Sequence, residues 1–238
     1  MVDNLQKNIP LIEHAQNGLD QVEFLRWLAK QHEGKIVLST SFSIEDQVIS
    51  DLILRNNIPI SIFTLDTGRL FAETYSTWSR TVEKYSAVIT AYFPDHGLLE
   101  EYLTTKGPNA FYESVENRKS CCYIRKVEPL KRALQGKSIW ITGLRAEHSQ
   151  DRKSLKKLEW DETNQVIKYH PLLSWTTEEV RQYINEYDVP YNILHDKGFV
   201  SIGCAPCTRA IKPGEDFRAG RWWWEDAAKK ECGLHVHQ

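Results

Sequence analysis

Most of the chemistry this 238-residue sequence can offer sits on its five cysteines. Cys121 and Cys122 are adjacent, and Cys204 and Cys207 bracket the tetrapeptide CAPC. Four thiols in two pairs, far apart in sequence, suit a tetrahedral metal or a four-iron cluster. Buried cysteine without metal is common, yet a C-x-x-C loop facing a second pair is hard to reach by accident. Structural zinc usually takes two C-x-x-C knuckles, each curling round the ion, and an adjacent pair makes no such loop. Spacing alone leaves zinc and iron–sulfur open. A thioredoxin-like redox pair is a third reading, disfavoured because CAPC comes late in the chain, outside a first strand–helix turn.

The fifth cysteine, Cys232, stands in the tail ECGLHVHQ. Chain ends are poor packing sites, so its use is chemical or nothing. A thiolate attacks where a thiol hardly does. Lys229, Lys230 and His235 favour the ionised form and Glu231 opposes it. The bland alternative is an inert tail thiol.

Three loops at strand ends are candidate anion or nucleotide sites. In STSFSIED, Ser41 and Ser43 offer hydroxyls beside a helix N-terminus; the alternative for Ser43 is a simple helix cap. The loop has neither the lysine nor the glycines of an ATPase P-loop. In LDTGRL, Asp66 can accept from a ribose or base and Gly68 allows a tight turn. In TGLRAEHSQDR, Gly143 ends a strand and Arg145 and Arg152 follow, with guanidinium geometry suited to phosphate or sulfate. Late in the chain, GEDFRAGRWWWE sets Arg218 and Arg221 beside three tryptophans, as packing partners or as an anion clamp.

The elements that must position these groups follow from periodicity. Apolar spacing predicts a helix over 20–32. KIVLSTSF, IPISIFTL, AVITAYF, SIWITGL and VIKYHPLL read as strands. SIEDQVISDLILRNN reads as a helix with Ser43 and Asp46 at capping-box spacing, as do Thr176 and Glu179 at the start of TTEEVRQYINEY. Residues 71–85 and 95–105 read as helices. CCYIRKVEPLKRALQG reads as a helix that Gly136 closes, with Pro129 inside or kinking it. Strand–helix alternation predicts an α/β fold, a mostly parallel sheet with helices on both faces. From about residue 190 the pattern gives way to an irregular segment, so the expected organisation is a body over 1–190 and a functional segment over 191–238.

Net charge is −2, with 41% hydrophobic and 26% charged residues. That is an ordinary globular balance with no global basic field for nucleic acid. No stretch has the length of a membrane span and the start is not signal-like, so the expectation is a soluble cytoplasmic protein. A homo-oligomer is compatible with these numbers.

Together the motifs resemble the phosphosulfate reductase family of sulfate assimilation, over about residues 35–235. KKECGLH resembles the family's catalytic motif. CC…CAPC resembles the branch that carries a four-iron, four-sulfur cluster and reduces adenosine 5′-phosphosulfate (APS). The branch acting on the 3′-phosphorylated substrate (PAPS) generally lacks those cysteines. The resemblance implies an adenine nucleotide alpha hydrolase-like fold and one [4Fe-4S] cluster per chain on Cys121, Cys122, Cys204 and Cys207. It implies Cys232 as nucleophile, and Ser41, Ser43, Asp66, Thr67, Gly143, Arg145 and Arg152 in substrate loops. Lys126 falls where the family has a lysine between cluster and substrate, and Arg218, Arg221 and His235 match residues that bind the phosphosulfate group. Sulfite and AMP would form through an enzyme S-sulfocysteine, with thioredoxin or a similar dithiol protein as reductant. Two departures stand out. SFSIED is one residue shorter than the common SFSGAED, and His148 replaces a frequent glutamine. The alternatives are a PAPS reductase and a non-catalytic nucleotide-binding metal or iron–sulfur sensor.

Overall fold

The computed structural model describes residues 5–148 and 155–225. They fall into two compact units. One takes the chain up to 63, then 76–90 and 134–192; the other takes 64–75, 91–133 and the chain from 193.

One six-stranded sheet is built from β1 (Ile36–Thr40), β2 (Ser61–Leu65), β3 (Ile89–Tyr92), β4 (Ile139–Ile141), β5 (Leu158–Asp161) and β6 (Val166–Tyr169), in the order β3-β2-β1-β4-β6-β5. β1 pairs parallel with β4, Leu38 opposite Ile141, and β4 pairs parallel with β6, Ile141 opposite Tyr169. All of β4 and β6, and all of β1 except Ser39, are buried. Burial of consecutive residues means that both faces of these strands are covered, which is why the sequence shows apolar runs such as IVL and IWI rather than alternation. The expected mostly parallel α/β sheet is thus observed.

One strand was not expected. β5 lies antiparallel to β6, with Glu159 opposite Lys168 and Asp161 opposite Val166. The two form a hairpin whose loop ends at Gln165 in a left-handed conformation, φ 55°. Four residues with charges at alternate positions carry little apolar signal. Their place comes from the neighbour across the turn, where Lys168 meets Asp161 at 2.8 Å in a buried ion pair.

The helices are α1 (Ile9–Gln16), α2 (Gln21–Gln31), α3 (Ile44–Arg55), α4 (Ala72–Tyr85), α5 (His96–Lys106), α6 (Val115–Cys122), α7 (Glu128–Leu134) and α8 (Thr177–Glu186). Thr176 and Glu179 form the full capping box that their spacing predicts. At α3 only half of the box forms. Ser43 accepts from the Asp46 backbone N–H, but the Asp46 carboxylate turns to Ser41 instead. The first unit's core gathers Phe24, Leu28, Ile49, Ile53, Ile141, Ile167 and Leu172.

In the second unit, the expected helix across CCYIRKVEPLKRALQG begins earlier, at Val115, with Ser114 as its cap. It then widens into a single π turn over Tyr123–Val127 before α7. Pro129 explains the position of that turn. It has no N–H for the Arg125 carbonyl and its ring crowds that oxygen; a wide turn just before it relieves both problems. Gly136, at φ 73°, follows the end of α7 as expected. Residues 193–225 are irregular, with two 3₁₀ turns (Ile193–Lys197 and Ala205–Cys207) and one isolated bridge, Thr208 to Arg221. No helix among the described residues is long and apolar enough to cross a membrane.

Candidate active site

The predicted site residues divide into two clusters, one in each unit. In the first unit the chain steps from β1 to its neighbours on one side and reaches β4 on the other. At such a reversal the loops after the two strands diverge and leave a crevice. The loop after β1 is wound on its own carboxylate. Ser41 donates through its N–H and its hydroxyl to Asp46 Oδ2, each at 2.7 Å. Phe42 takes φ 59°, fully buried, with its ring stacked on Trp78 at 5.5 Å. Burial raises the Asp46 carboxyl from 3.8 to about 6, against the lowering effect of the Ser41 hydrogen bonds.

Gly143, just beyond β4, lies against the start of α3. A Cβ there would stand 2.4 Å from Asp46 Oδ1 and 3.0 Å from Glu45 Cβ, so only glycine permits this approach. Arg145 is 1% exposed. Its Nε donates to Glu45 Oε1 at 3.0 Å, Nη1 to Glu147 at 2.5 Å and to the Trp175 carbonyl at 3.0 Å, and Nη2 to Thr177 Oγ1 at 2.9 Å. Nη2 also meets Glu45 at 2.9 Å. A guanidinium has five N–H donors, and these contacts engage all of them within the protein. In this structure Arg145 braces α3 and α8, with no donor left over for an anion.

The second unit holds the thiols. Cys121, Cys122, Cys204 and Cys207 line one hollow together with Arg69, Arg118, Arg125, Lys126, Arg221, Phe111, Pro206 and Trp222. Five of those twelve residues are cations and none is acidic. The LDTGR loop is stitched to this hollow. Cys204 Sγ donates to Thr67 Oγ1 at 3.3 Å, Arg125 Nη1 to the Thr67 carbonyl at 2.5 Å, and the Ala205 N–H to the Arg69 carbonyl at 2.8 Å. Asp66 accepts from the Gly68 N–H at 2.8 Å and from the Tyr75 hydroxyl at 2.9 Å. Burial and that hydrogen bond push the Tyr75 phenol up to about 12.

Burial pushes Cys207 up to about 12, with Cys204 adding to it, and also raises Cys121 against the pull of Arg125. Cys204 goes the other way. Burial opposes its ionisation, yet Lys126, the Thr67 hydroxyl, Arg221 and Arg125 hold it below the ordinary thiol value.

Arg221 reaches the hollow because residue 203 is glycine: a Cβ there would sit 2.4 Å from Arg221 Nη2. Arg221 donates to Ser201 Oγ at 3.3 Å and lies 4.9 Å from the Trp222 ring. Arg218 stacks on the same ring at 5.9 Å and is not among the lining residues. Arg152, Cys232 and His235 lie outside the described residues.

Arg69, Arg118 and Arg125 went unread in the sequence. Arg118 and Arg125 stand three residues before and four after Cys121, so helical spacing alone could have placed them beside the thiols.

Whether an iron–sulfur cluster suits this hollow can be judged from its polar atoms. Arg125 Nε, Arg221 Nε and Trp222 Nε1 are buried donors with no hydrogen-bond partner among the described residues. Buried polar groups are normally satisfied, and all three belong to residues that line the thiol hollow. Unsatisfied donors and excess cations fit an anionic, acceptor-rich group held by thiolates. Among the described residues no group of three or more His, Cys, Asp or Glu is arranged to hold a metal ion.

The fold and these sites define a mostly parallel α/β protein with a cationic four-thiol centre. The chain belongs to the phosphoadenosine phosphosulfate reductase domain family, whose model matches residues 35–210. It is 49% identical to the adenosine 5′-phosphosulfate reductase of Burkholderia cepacia, over 89% of this chain and 84% of that protein. It is equally identical to the enzyme of the same name from Allochromatium vinosum, over 90% and 83%. The crystal structure of phosphoadenylyl-sulfate (PAPS) reductase from Candida auris, a phosphate complex, superposes with a TM-score of 0.68 at 30% identity, covering 88% of this chain and 96% of that one. Candida glabrata FMN adenylyltransferase, at 15% identity and TM-score 0.51, shares the fold.

Proposed function

We propose that this chain is an oxidoreductase that reduces adenosine 5′-phosphosulfate to sulfite and AMP in sulfate assimilation. The observation that carries the reading is the cationic four-thiol hollow tied through Thr67 and Arg125 to the LDTGR loop, in a chain 49% identical to APS reductases. APS is favoured over PAPS because the PAPS reductase match is at 30%.

Cys232 thiolate attacks the sulfonyl sulfur. An S–S bond forms, the S–O bond to the phosphate breaks, and AMP leaves with the electron pair. The enzyme then carries S-sulfocysteine. A thiolate of a thioredoxin-type dithiol protein attacks Cys232 Sγ and expels sulfite, and the partner's second thiol resolves the mixed disulfide. The two electrons come from the partner dithiol. Four of the five cysteines line the hollow, so no further thiol of this chain is left to resolve the intermediate. Such thiol chemistry suits a reducing cytoplasm.

Lys126, Arg221, Arg218, Arg152 and His235 screen the approach of one anion to another and stabilise the leaving phosphate. Ser41, Ser43, Asp66, Thr67 and Gly143 shape the nucleotide loops. For Arg145 the reading is a brace beneath the first loop.

Cys121, Cys122, Cys204 and Cys207 would hold one [4Fe-4S] cluster. A single zinc at about 2.3 Å from each sulfur would need its thiolates within roughly 3.8 Å of one another, whereas a four-iron cluster takes one thiolate per corner. When bound, the cluster supplies a fixed anionic centre whose field bears on Lys126.

Anaerobic purification with iron and zinc analysis and an absorbance spectrum tests the cofactor: about four irons per chain is expected, and zinc alone would overturn it. Cys232→Ser is expected to abolish sulfite formation while the iron–sulfur absorbance stays. Sustained turnover by that variant would refute the mechanism. The same coupled assay run with PAPS in place of APS tests substrate choice.

A further inference from the structure

Thr142 and His170 each follow directly on a strand, β4 and β6, and both are buried. They belong to a short polar chain that the reaction as described does not use. Thr142 Oγ1 lies 2.7 Å from His170 Nδ1, and the Leu144 N–H donates to the same oxygen at 3.4 Å. On the far side of the ring, His170 Nε2 stands 3.4 Å from Glu159 Oε1 on β5. The backbone at both residues is fixed as well. The Thr142 N–H donates to the Tyr169 carbonyl at 3.0 Å and the His170 N–H to the Lys157 carbonyl at 2.9 Å.

We infer that Glu159 and His170 position the Gly143 turn through Thr142. The carboxylate sets the tautomer of the ring, the ring takes the threonine proton, and the threonine oxygen holds the Leu144 N–H. The inference rests on the reading of this chain as an APS reductase. Chemistry gives the chain of contacts one direction. In a neutral imidazole one nitrogen donates and the other accepts, and an ionised carboxylate only accepts. The ring proton therefore belongs on Nε2, facing Glu159, and Nδ1 is the acceptor. The Thr142 hydroxyl donates to Nδ1, which turns a lone pair toward the Leu144 N–H. A threonine-closed turn of this kind restrains the backbone on both sides of residue 143. That restraint matters because Gly143 lies against the start of α3, with no room for a Cβ beside Asp46 and Glu45. The Ala146 N–H, donating to the Leu173 carbonyl at 2.9 Å, ties the same loop further on. The turn stands at the carboxyl end of a parallel strand beside the topological reversal, where open α/β sheets take their ligands. Apolar side chains would join β4 to β6 as well; a satisfied buried polar chain adds a single fixed arrangement.

Two variants separate this role from packing. Thr142→Val keeps the volume and removes the hydroxyl; Thr142→Ser keeps the hydroxyl and removes the methyl. A packing role makes serine the worse variant, and the relay makes it valine. The full-length, cofactor-loaded protein is assayed with APS and a thioredoxin-type reductant. KM is expected to rise at least about fivefold in Thr142→Val with kcat within about twofold of wild type, while Thr142→Ser stays within about twofold in both. Nitrogen-15 NMR of the wild-type histidine rings is expected to show His170 as the Nε2–H tautomer. An unchanged KM in Thr142→Val, a Thr142→Ser variant at least as impaired, or a ring protonated on Nδ1 would each overturn the relay. If Thr142→Val does not fold, the wild-type tautomer and Thr142→Ser decide: Nε2–H with a wild-type KM supports the relay, and any other result overturns it. If wild type makes no sulfite from APS, the functional reading fails and the positioning role with it, an outcome distinct from an active enzyme with the wrong tautomer or the wrong order of variants.

Discussion

Asp46 shows how one residue's spacing can be read correctly and its job missed. Its position three after Ser43 announces a capping box, but its carboxylate is spent on Ser41. The competitor, Ser41, stands five residues upstream of Asp46, in a loop whose left-handed Phe42 nothing in the sequence marks. Its burial has a consequence for pH. The fold raises the Asp46 carboxyl from 3.8 to about 6, so folding favours the neutral acid. That contribution to stability is full below pH 3.8 and is lost as pH rises through 6. Asp46→Asn mimics the neutral acid at every pH. Relative to wild type it is expected to gain roughly 2–4 kcal/mol between pH 4 and pH 7, measured by urea denaturation across that range. Parallel stability profiles would show that Asp46 titrates normally. The cysteines were the more legible residues: their pairing predicted one shared site, and all four line one hollow. Arg145 was legible as an important arginine, but its five internal contacts come from Glu45, Glu147, Trp175 and Thr177, partners spread over the fold that no local motif announces.

Elements were read well where one local signal dominates. α8 was predicted from its capping box, and β1 and β4 from the strand-like runs KIVLSTSF and SIWITGL. Reading failed where an element depends on a neighbour. β5 exists because the hairpin lays it on β6, and α6 starts at Val115, capped by Ser114, in a polar stretch without apolar period. The abutment of β4's end on α3 is equally invisible in sequence, though it leaves a mark, the glycine at 143. Gly143→Ala is expected to force the start of α3 outward, since the new Cβ would meet Asp46 Oδ1. The expected loss is about 1–3 kcal/mol, with AMP binding weakened in calorimetry. An alanine variant with unchanged Tm and affinity would mean that the crevice gives way without cost.

At the scale of the molecule, the two units have different kinds of core. The first is a continuous apolar core of aliphatic side chains around the sheet. The second gathers cysteines and aromatics around a hollow rimmed by cations. Only the first kind is self-sufficient. If the proposed cluster is bound, its removal by oxidation and chelation would leave mutually repelling cations and orphaned donors. Hydrogen exchange is then expected to speed up at residues 110–127 and 199–225, while β1, β4 and β6 keep their protection. Uniform loss of protection would contradict this division. The π turn matters at this scale as well, because it is a phase shifter. At about 100° per residue, a regular helix placing Arg118, Cys121 and Arg125 on one side would carry the buried residues Pro129, Leu130, Ala133 and Leu134 roughly 100° further round. One extra residue in a wide turn takes that rotation out. The thiol-bearing stripe and the apolar stripe therefore face the same way only because the joint between them is one residue too long, and over 123–127 residue number is constrained more tightly than residue identity.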